Sequence, residues 1–464
     1  MNPQTLLPPP RDGGVESLNV PGVAEFDVPS APAGDQAFAA SLESNLAQSR
    51  PSAIGALLAG TTLLRIATSG AAIAIGFDLV DMFGGRPNGL VVGFIGASQA
   101  VPEMVFAPFL ARFADRFGRR LFLIGGPLFC LLGAIMLSLA TRPESIVVAR
   151  LVEGVGAACF IPTALGTIAA ATSHSREVRA RASGAFEAAN LAGYAGGFVV
   201  GPFAYHWLQH GAFLILAGLY LCAALVCAAL VPYVPPLPVS PIARVLGAIV
   251  GPGPIRTFLP AWMAAFALLG AYAAHLPALL RRQPVPGQTL LHHFDERLIS
   301  VILVSWIGLL LIGIVIWTPW VTRLGAVRTM RRAAPGAWLI SGALLALNHS
   351  PLDWAPLYIP LLVIGILVLA GFGPAAVTYL AECSETFVAD RSALMAFYTV
   401  ALAGGGALGS VIGGFAVRLD YADGLVLFGL FLTVFAFAAL TPALRYERAL
   451  LQRSDTRPAP ATAP

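Results

Sequence analysis

The chain has 464 residues, of which 57% are hydrophobic and only 11% are charged, whereas a soluble globular domain carries about 25% charged residues. This composition excludes a soluble protein. The net charge of +4 comes from arginines in short clusters between apolar runs, so the sequence also lacks the basic stripe of a nucleic-acid-binding protein. We therefore expect the lipid bilayer to be the main solvent of this chain.

Apolar runs long enough to cross a bilayer recur along most of the chain. A hydrocarbon core of about 30 Å requires about 20 apolar residues in a helix. The runs predict an all-α membrane protein with twelve transmembrane helices, at 52–77, 89–111, 121–140, 145–172, 183–208, 212–232, 257–280, 299–322, 335–348, 357–381, 393–417 and 424–444. The ninth run is the shortest.

The predicted spans fall into two groups of six, separated by a longer Pro-rich link. We predict an N-terminal six-helix bundle at 51–232, a cytoplasmic linker at 233–256 and a C-terminal six-helix bundle at 257–444. Residues 1–50 are rich in Pro, Ala, Gly and Ser, which is typical of a disordered segment. They are expected to form one cytoplasmic tail, and residues 445–464 a second one.

The placement of arginine predicts the orientation in the membrane. The loops after the second and eighth spans are the most basic, with Arg112, Arg116, Arg119, Arg120, Arg323, Arg328, Arg331 and Arg332. Cytoplasmic loops carry an excess of Lys and Arg. Both termini are therefore expected to be cytoplasmic, in a multi-pass protein of the cell inner (plasma) membrane.

The segment ARFADRFGRR at 111–120 resembles the signature loop of the major facilitator superfamily (MFS), GxxxDRxGRR, with Ala111 in place of the first Gly. The resemblance implies two pseudo-symmetric six-helix bundles and a cytoplasmic latch between them. Its residues in this chain would be Asp115, Arg116, Gly118, Arg119 and Arg120. Gly118 would permit a tight turn, and the aspartate would face a helix N-terminus and the arginines. A basic loop that only sets the topology is the alternative interpretation.

Two further charged segments resemble motifs of the same family. The sequence RLVEGVG at 150–156 is similar to its fourth-helix motif, in which an arginine precedes a polar residue and a glycine. The charged loop EVRAR at 177–181 follows it. The resemblance implies that the latch also includes residues of this loop and of its counterpart in the second half. These residues are Glu177, Arg181, Glu382, Asp390 and Arg391.

A glycine-rich segment in the predicted fifth span resembles a motif of proton-coupled exporters. The sequence GFVVGP at 197–202 matches the GxxxGP pattern, but Tyr205 and His206 replace the glycine pair that usually follows. Small residues allow close approach of helices, and proline loosens the helix locally. The residues assigned to helix packing are Gly193, Gly197, Gly201 and Pro202.

Charged residues inside the apolar spans are candidates for the transport site, because a buried charge is costly in a bilayer. At 1.5 Å per residue, Arg65 lies roughly 20 Å into the first helix, near the midplane. Glu103 and Glu153 lie at similar middle depths of the second and fourth spans. One carboxyl could load and release a proton as the cavity changes sides. The alternative is a permanent structural ion pair between Arg65 and one of the two glutamates.

Four more polar residues extend this candidate site, and the histidines give no metal site. Asp78, with Asp81 close by, lies near the depth of Arg150 at the outer ends of their spans, where an acid and an arginine work together in some drug antiporters of the family. Solvation at the membrane surface explains the two aspartates equally well. Glu187 and Asn190 lie one turn apart in the fifth span, where they would line the cavity or belong to the inner gate. His206 and His210 have the i, i+4 spacing of metal ligands, but the glutamate of HExxH is missing, so they are interpreted as an interfacial pair.

The sequence contains no GxSxG, GxxxxGK[ST] or HExxH motif, so we predict neither an enzyme nor a cofactor. The predicted function is secondary transport by alternating access, most simply proton-coupled efflux of a small amphipathic or drug-like solute. Uptake or export of a specific metabolite is an alternative. A non-transporting membrane sensor or assembly protein on the same scaffold is another. The expected partners are the bilayer, a small-molecule substrate and protons, and the protein is expected to be monomeric.

Overall fold

The structure is a computed structural model that describes residues 50–172, 176–233, 254–385 and 391–455. Within these ranges the chain is helical, and its β-structure is limited to an isolated bridge between Val285 and Gln288. The helices are α1 (Arg50–Met82), α2 (Gly89–Phe117), α3 (Arg119–Ser138), α4 (Pro143–Ala171), α5 (Arg176–Leu208), α6 (Ala212–Leu230), α7 (Pro254–Arg281), α8 (Glu296–Leu324), α9 (Ala326–Ala333), α10 (Pro335–Asn348), α11 (Ala355–Leu369), α12 (Phe372–Glu385) and α13 (Arg391–Asp455).

Nine helical stretches of the described residues are long and apolar enough to cross a membrane. Two of them, Ala188–Leu230 and Val400–Arg445, each contain a break, the first at the 3₁₀ turn Gln209–Gly211 and the second at Asp420 and Tyr421. The predicted ninth span coincides with α10, whose 14 residues are too few to cross alone. The all-α membrane class is thus confirmed, while the exact number of twelve spans stays a prediction.

The division into two bundles and two tails also stays a prediction. Most of the predicted linker and N-terminal tail lies outside the described residues. In the described part, α1 packs mainly on α5 and α6, and α7 packs mainly on α13. Contacts between the two predicted halves run chiefly between α2 and α13, between α5 and α8, and between α1 and α7.

Two glycines make equivalent turns in the two halves. Gly118 separates α2 from α3 with φ 103°, and Gly325 separates α8 from α9 with φ 82°. Positive φ values of this kind are readily available only to glycine. Each glycine also donates its N–H to a carbonyl of the preceding helix, Ala114 and Val321 respectively. The glycine of the signature segment is therefore required by the backbone turn.

The glycines of α5 lie directly against α1. A methyl group on Gly193 would meet the Arg65 side chain, one on Gly197 would overlap Ser69, and one on Gly201 would lie 2.8 Å from the Cα of Gly70. The two backbones therefore approach more closely than any side chain would allow. This contact fixes the depth and rotation of α1, which carries Arg65.

We expect Gly197→Leu to destabilise the protein by about 1–3 kcal/mol or more, because the added side chain must push α1 away from α5. Thermal unfolding of the purified protein in detergent measures the effect. Gly218→Leu is the matched control, since nothing lies within 4 Å of a methyl group at Gly218. Equal unfolding temperatures for the two variants would contradict the close contact.

Candidate functional site

A cluster of buried charged and polar side chains lies between helices of the N-terminal half. Arg65 comes from α1, Glu103 from α2, Arg150 and Glu153 from α4, and Asn190 from α5, and each residue is at most 5% exposed. Buried charges in such a setting require partners. We call these five residues the central cluster.

Arg65 connects three helices of the central cluster. Its Nε donates a hydrogen bond to Asn190 Oδ1 at 2.7 Å, and its Nη2 lies 3.8 Å from Glu103 Oε1. Its guanidinium also lies over the ring of Tyr194, 5.3 Å from the centroid. The structure therefore brings together Arg65, Glu103 and Asn190, which the sequence places on separate spans.

Arg150 and Glu153 form the second pair of the cluster, on one face of α4. Arg150 Nη1 donates to Glu153 Oε2 at 2.6 Å, and its Nη2 donates to the side-chain oxygen of Gln99. The other carboxylate oxygen of Glu153 accepts a hydrogen bond from the Tyr220 hydroxyl at 3.0 Å. That hydroxyl lies 3.0 Å from the hydroxyl of Thr68. Both carboxylate oxygens of Glu153 are thus hydrogen-bonded.

The two glutamates of the cluster have unequal surroundings. Glu103 Oε1 is buried and has no hydrogen-bond partner, although it lies within the electrostatic reach of Arg65 and Arg150. Glu153 has two hydrogen-bond partners and is completely buried. Glu103 is therefore the carboxyl that can exchange a proton with the smaller loss of hydrogen bonds, whereas Glu153 belongs to a saturated pair.

A second polar cluster lies at the predicted outer end of α1. The Tyr205 hydroxyl of α5 lies 2.9 Å from Asp81 Oδ2 and 3.2 Å from Asp78 Oδ1. His210 Nε2, in the turn after α5, lies 3.1 Å from the same Asp78 oxygen. The described contacts of Asp78 are thus with Tyr205 and His210, and not with Arg150, its partner in the antiporter pattern.

This outer cluster also connects the two predicted halves. Arg281, at the end of α7, places its Nη2 3.1 Å from both oxygens of Asp81 and its Nη1 2.9 Å from Glu296 Oε1 on α8. Glu296 Oε2 in turn lies 3.5 Å from Nδ1 of His206 on α5. We define the outer network as Asp78, Asp81, Tyr205, His206, His210, Arg281 and Glu296.

Two hydrogen bonds to backbone carbonyls reinforce the outer network. The N–H of Gln283 donates to the carbonyl of Gly85 at 3.1 Å, and Arg282 Nη1 donates to the carbonyl of Pro87 at 3.1 Å. The segments that follow α1 and α7 are thus joined directly to each other. In this conformation the predicted halves are held together at the predicted outer end of α1.

One group that shares two residues with the outer network has the composition of a metal site. Side-chain atoms of His206, Asp295 and Glu296 lie within 4.8 Å of one another. However, Glu296 is already paired with Arg281, and His206 Nε2 lies 3.2 Å from a guanidinium nitrogen of Arg297. We interpret the group as an extension of the outer network through Asp295, and not as a metal site.

The signature segment makes its described contacts within the N-terminal half. Arg119 Nη1 donates to the carbonyl of Gly166 at 3.1 Å, and Arg120 Nη2 donates to that of Ala228 at 2.6 Å. Arg116 lies over the neighbouring ring of Phe117. The side chains of the other predicted latch residues, and that of Glu187, lie outside the described part of the structure: Asp115, Glu177, Arg181, Glu382, Asp390 and Arg391. The latch remains a prediction.

Sequence reasoning missed several partners of the candidate residues. Gln99 lies one helical turn before Glu103 on α2, a spacing that places both on one face. Tyr220 is an isolated polar residue in the uncharged helix α6. Asp81 and Arg281 carry opposite charges at the ends of α1 and α7, the first helices of the two predicted halves. Each of these features is visible in the sequence.

Comparison with known proteins identifies relatives by sequence. Residues 57–382 match the family model described as Major Facilitator Superfamily. Multidrug resistance protein 2 of Bacillus subtilis (strain 168) is 31% identical over 119 residues, which are 25% of this chain and 29% of the relative. Multidrug resistance protein 1 of the same organism is 29% identical over 115 residues, 25% of this chain and 28% of the relative. The match thus spans less than a third of either relative.

Solved structures with the same fold cover most of the chain. The nucleoside transporter NupG, as a variant, has a TM-score of 0.64 at 16% identity, covering 85% of this chain and 99% of that structure. The peptide transporter POT in complex with sulfate has a TM-score of 0.66 at 13% identity, covering 88% and 99% respectively. Because the family match extends over most of the chain and the fold agrees with it, this chain belongs to the major facilitator superfamily.

Proposed function

We propose that this transporter exports a small amphipathic or drug-like solute from the cell in exchange for protons, by alternating access across the inner membrane. The observation that carries the proposal is the unequal state of the two central glutamates. Glu103 has a buried oxygen without a hydrogen bond, and Glu153 is saturated by Arg150 and Tyr220. One carboxyl is thus free to exchange a proton while the other holds its helices together.

The energetics of proton exchange suit an exporter. Each proton that moves inward releases about 2.3 kcal/mol per 100 mV of membrane potential. This amount supports a roughly 50-fold concentration gradient of exported solute, since 1.36 kcal/mol corresponds to a factor of ten. The GxxxGP segment at 197–202 and the two relatives named as multidrug resistance proteins support efflux.

In this proposal Glu103 carries the proton and Arg65 responds to its charge. When Glu103 is protonated, its attraction to Arg65 is lost and Arg65 keeps the hydrogen bond to Asn190. Substrate and proton then compete for binding beside the positive charge of Arg65. Arg150 and Glu153 position α4. Glu187 of α5 is included as a further candidate for substrate or proton binding. The segment 111–120 acts as the cytoplasmic latch, and both termini are cytoplasmic.

The outer network is the gate that closes the outer side. Opening requires Arg281 to release Asp81 and Glu296. Its guanidinium nitrogens lie 3.1 Å from Asp81 Oδ2 and 2.9 Å from Glu296 Oε1. Arg281 is therefore the residue on which closure of this side depends.

We expect Arg281→Gln to shift the protein toward an outward-open state, because the uncharged amide cannot hold two carboxylates on different helices. Spin labels at Phe83→Cys and Pro286→Cys, with the exposed Cys222 replaced, report the separation of the two halves by pulsed electron resonance. The variant should show a larger population of long distances. Arg142→Gln, an exposed arginine in a predicted outer loop, is the control. Identical distance distributions for the two variants would rule out this gate.

A substrate screen in proteoliposomes tests the proposed function. Candidate solutes, including cationic dyes, nucleosides and short peptides, are offered with and without an imposed pH gradient. Accumulation of an amphipathic solute that depends on the gradient supports the proposal. Gradient-independent transport of a polar metabolite would support the metabolite carrier instead, and substrate binding without any transport would support a sensor.

A further inference from the structure

A basic cavity lies outside both clusters, at the predicted cytoplasmic end of the C-terminal half. Its volume is about 510 Å³. Three arginines of α9 form one wall, and apolar residues of α10 and α13 form the rest. The lining residues are Arg328, Arg331, Arg332, Pro335, Phe437 and Leu444.

The three arginines lie on one face of α9, and the described residues offer them no counter-charge. Their spacing of i, i+3 and i+4 makes them neighbours on the helix surface, where like charges repel. In the part of the chain that the structure describes, none of them pairs with a carboxylate, and the contact seen is that of Arg331 with the ring of Phe437, 4.9 Å from its centroid. The cavity is therefore suited to an anion.

The opposite wall of the cavity is apolar and lies where two membrane helices end. Pro335 begins α10, and the apolar stretch of α13 ends at Arg445, next to Leu444. Phe437 is held between Arg331 and the ring of Trp338, with 5.3 Å between the centroids of the two rings. The cavity thus combines a positive side with an apolar side at the depth of the lipid headgroups.

We propose that this cavity binds the headgroup of an anionic phospholipid of the cytoplasmic leaflet. The guanidinium groups would hold the phosphodiester by charge-assisted hydrogen bonds, and Phe437 and Leu444 would contact the glycerol and the first acyl carbons. Basic pockets between membrane helices on the cytoplasmic side recognise anionic headgroups in this way. The site is independent of the substrate and of the proton.

The thermal stability of the purified protein in detergent tests the site. Short-chain phosphatidylglycerol is titrated and compared with phosphatidylcholine of the same chains and with glycerol phosphate. The variant Arg328→Gln with Arg332→Gln removes two exposed arginines of the cavity. Arg256→Gln with Arg323→Gln removes two exposed arginines elsewhere on the same predicted face and serves as the matched control.

We expect phosphatidylglycerol to raise the unfolding temperature of the parent protein and of the control. The cavity variant should need about 25-fold more phosphatidylglycerol for the same rise in unfolding temperature, since each arginine contributes about a factor of five to anionic lipid binding. The proposal would be overturned if phosphatidylcholine raised the unfolding temperature as much as phosphatidylglycerol does. It would also be overturned if the cavity variant responded to phosphatidylglycerol like the parent protein, or if the control lost as much affinity as the cavity variant. A full response to glycerol phosphate would assign the cavity to a free phosphate ester instead of a lipid.

Discussion

Glu103→Gln is expected to abolish transport driven by a pH gradient while the protein stays folded. Glutamine keeps the shape of the side chain but cannot release a proton, and Arg65 retains its hydrogen bond to Asn190. A gradient of about one pH unit supplies a factor of about ten in accumulation for each coupled proton. Proteoliposomes containing the variant should therefore not show this tenfold accumulation. They should only exchange substrate or bring it to equal concentrations on the two sides.

The control for this experiment is Glu144→Gln. Glu144 lies exposed in the first turn of α4, outside the central cluster, so its replacement removes a carboxyl without touching the proposed proton site. The control should accumulate substrate as the parent protein does. Gradient-driven accumulation by Glu103→Gln at the parental level would show that the proton is carried elsewhere.

Arg150→Met is expected to have the largest effect on stability. The change removes the cation that donates to Glu153 and to Gln99, and it leaves a completely buried carboxylate with a single hydrogen bond from Tyr220. Removing one partner of a buried ion pair costs about 3–5 kcal/mol. The unfolding temperature and the yield of folded protein in detergent should both fall sharply.

A second variant separates the loss of the ion pair from other effects of the substitution. Arg150→Met combined with Glu153→Gln leaves no buried charge at this position, so most of the lost stability should return. Arg142→Met, at an exposed arginine just before α4, should cost little. The interpretation would be wrong if the double variant were less stable than Arg150→Met.

Much of the fold follows from the sequence because the bilayer imposes simple requirements. Apolar runs locate most helices, and α10 begins and ends where the shortest run does, at 335 and 348. The break at Gln209 and the break at Tyr421, with φ values of 50° and 41°, occur at residues other than glycine, so composition does not indicate their geometry. Likewise, the predicted tenth span divides into α11 and α12, because the helix is interrupted at Ala370 and Gly371.

The composition of the central cluster was also predictable, but its pairing was not. Depth along a helix follows from the rise per residue, so the sequence predicts Arg65, Glu103 and Glu153 at a common level. Which glutamate faces Arg65 depends on the rotation of each helix, and the glycines of α5 set that rotation for α1 through close contact. Arg281 directly follows the predicted seventh span, so the sequence suggests an outer loop, whereas the structure places it at the end of α7 in contact with Asp81.

Proton release on substrate binding tests the central claim most directly. The detergent-solubilised protein is mixed with a transported solute in weakly buffered solution, and the pH change is recorded for the parent protein, Glu103→Gln and Glu144→Gln. If substrate and proton compete at Glu103, the parent and the control should release about one proton per bound substrate and Glu103→Gln none. Binding without proton release by the parent, or equal release by Glu103→Gln, would contradict the account.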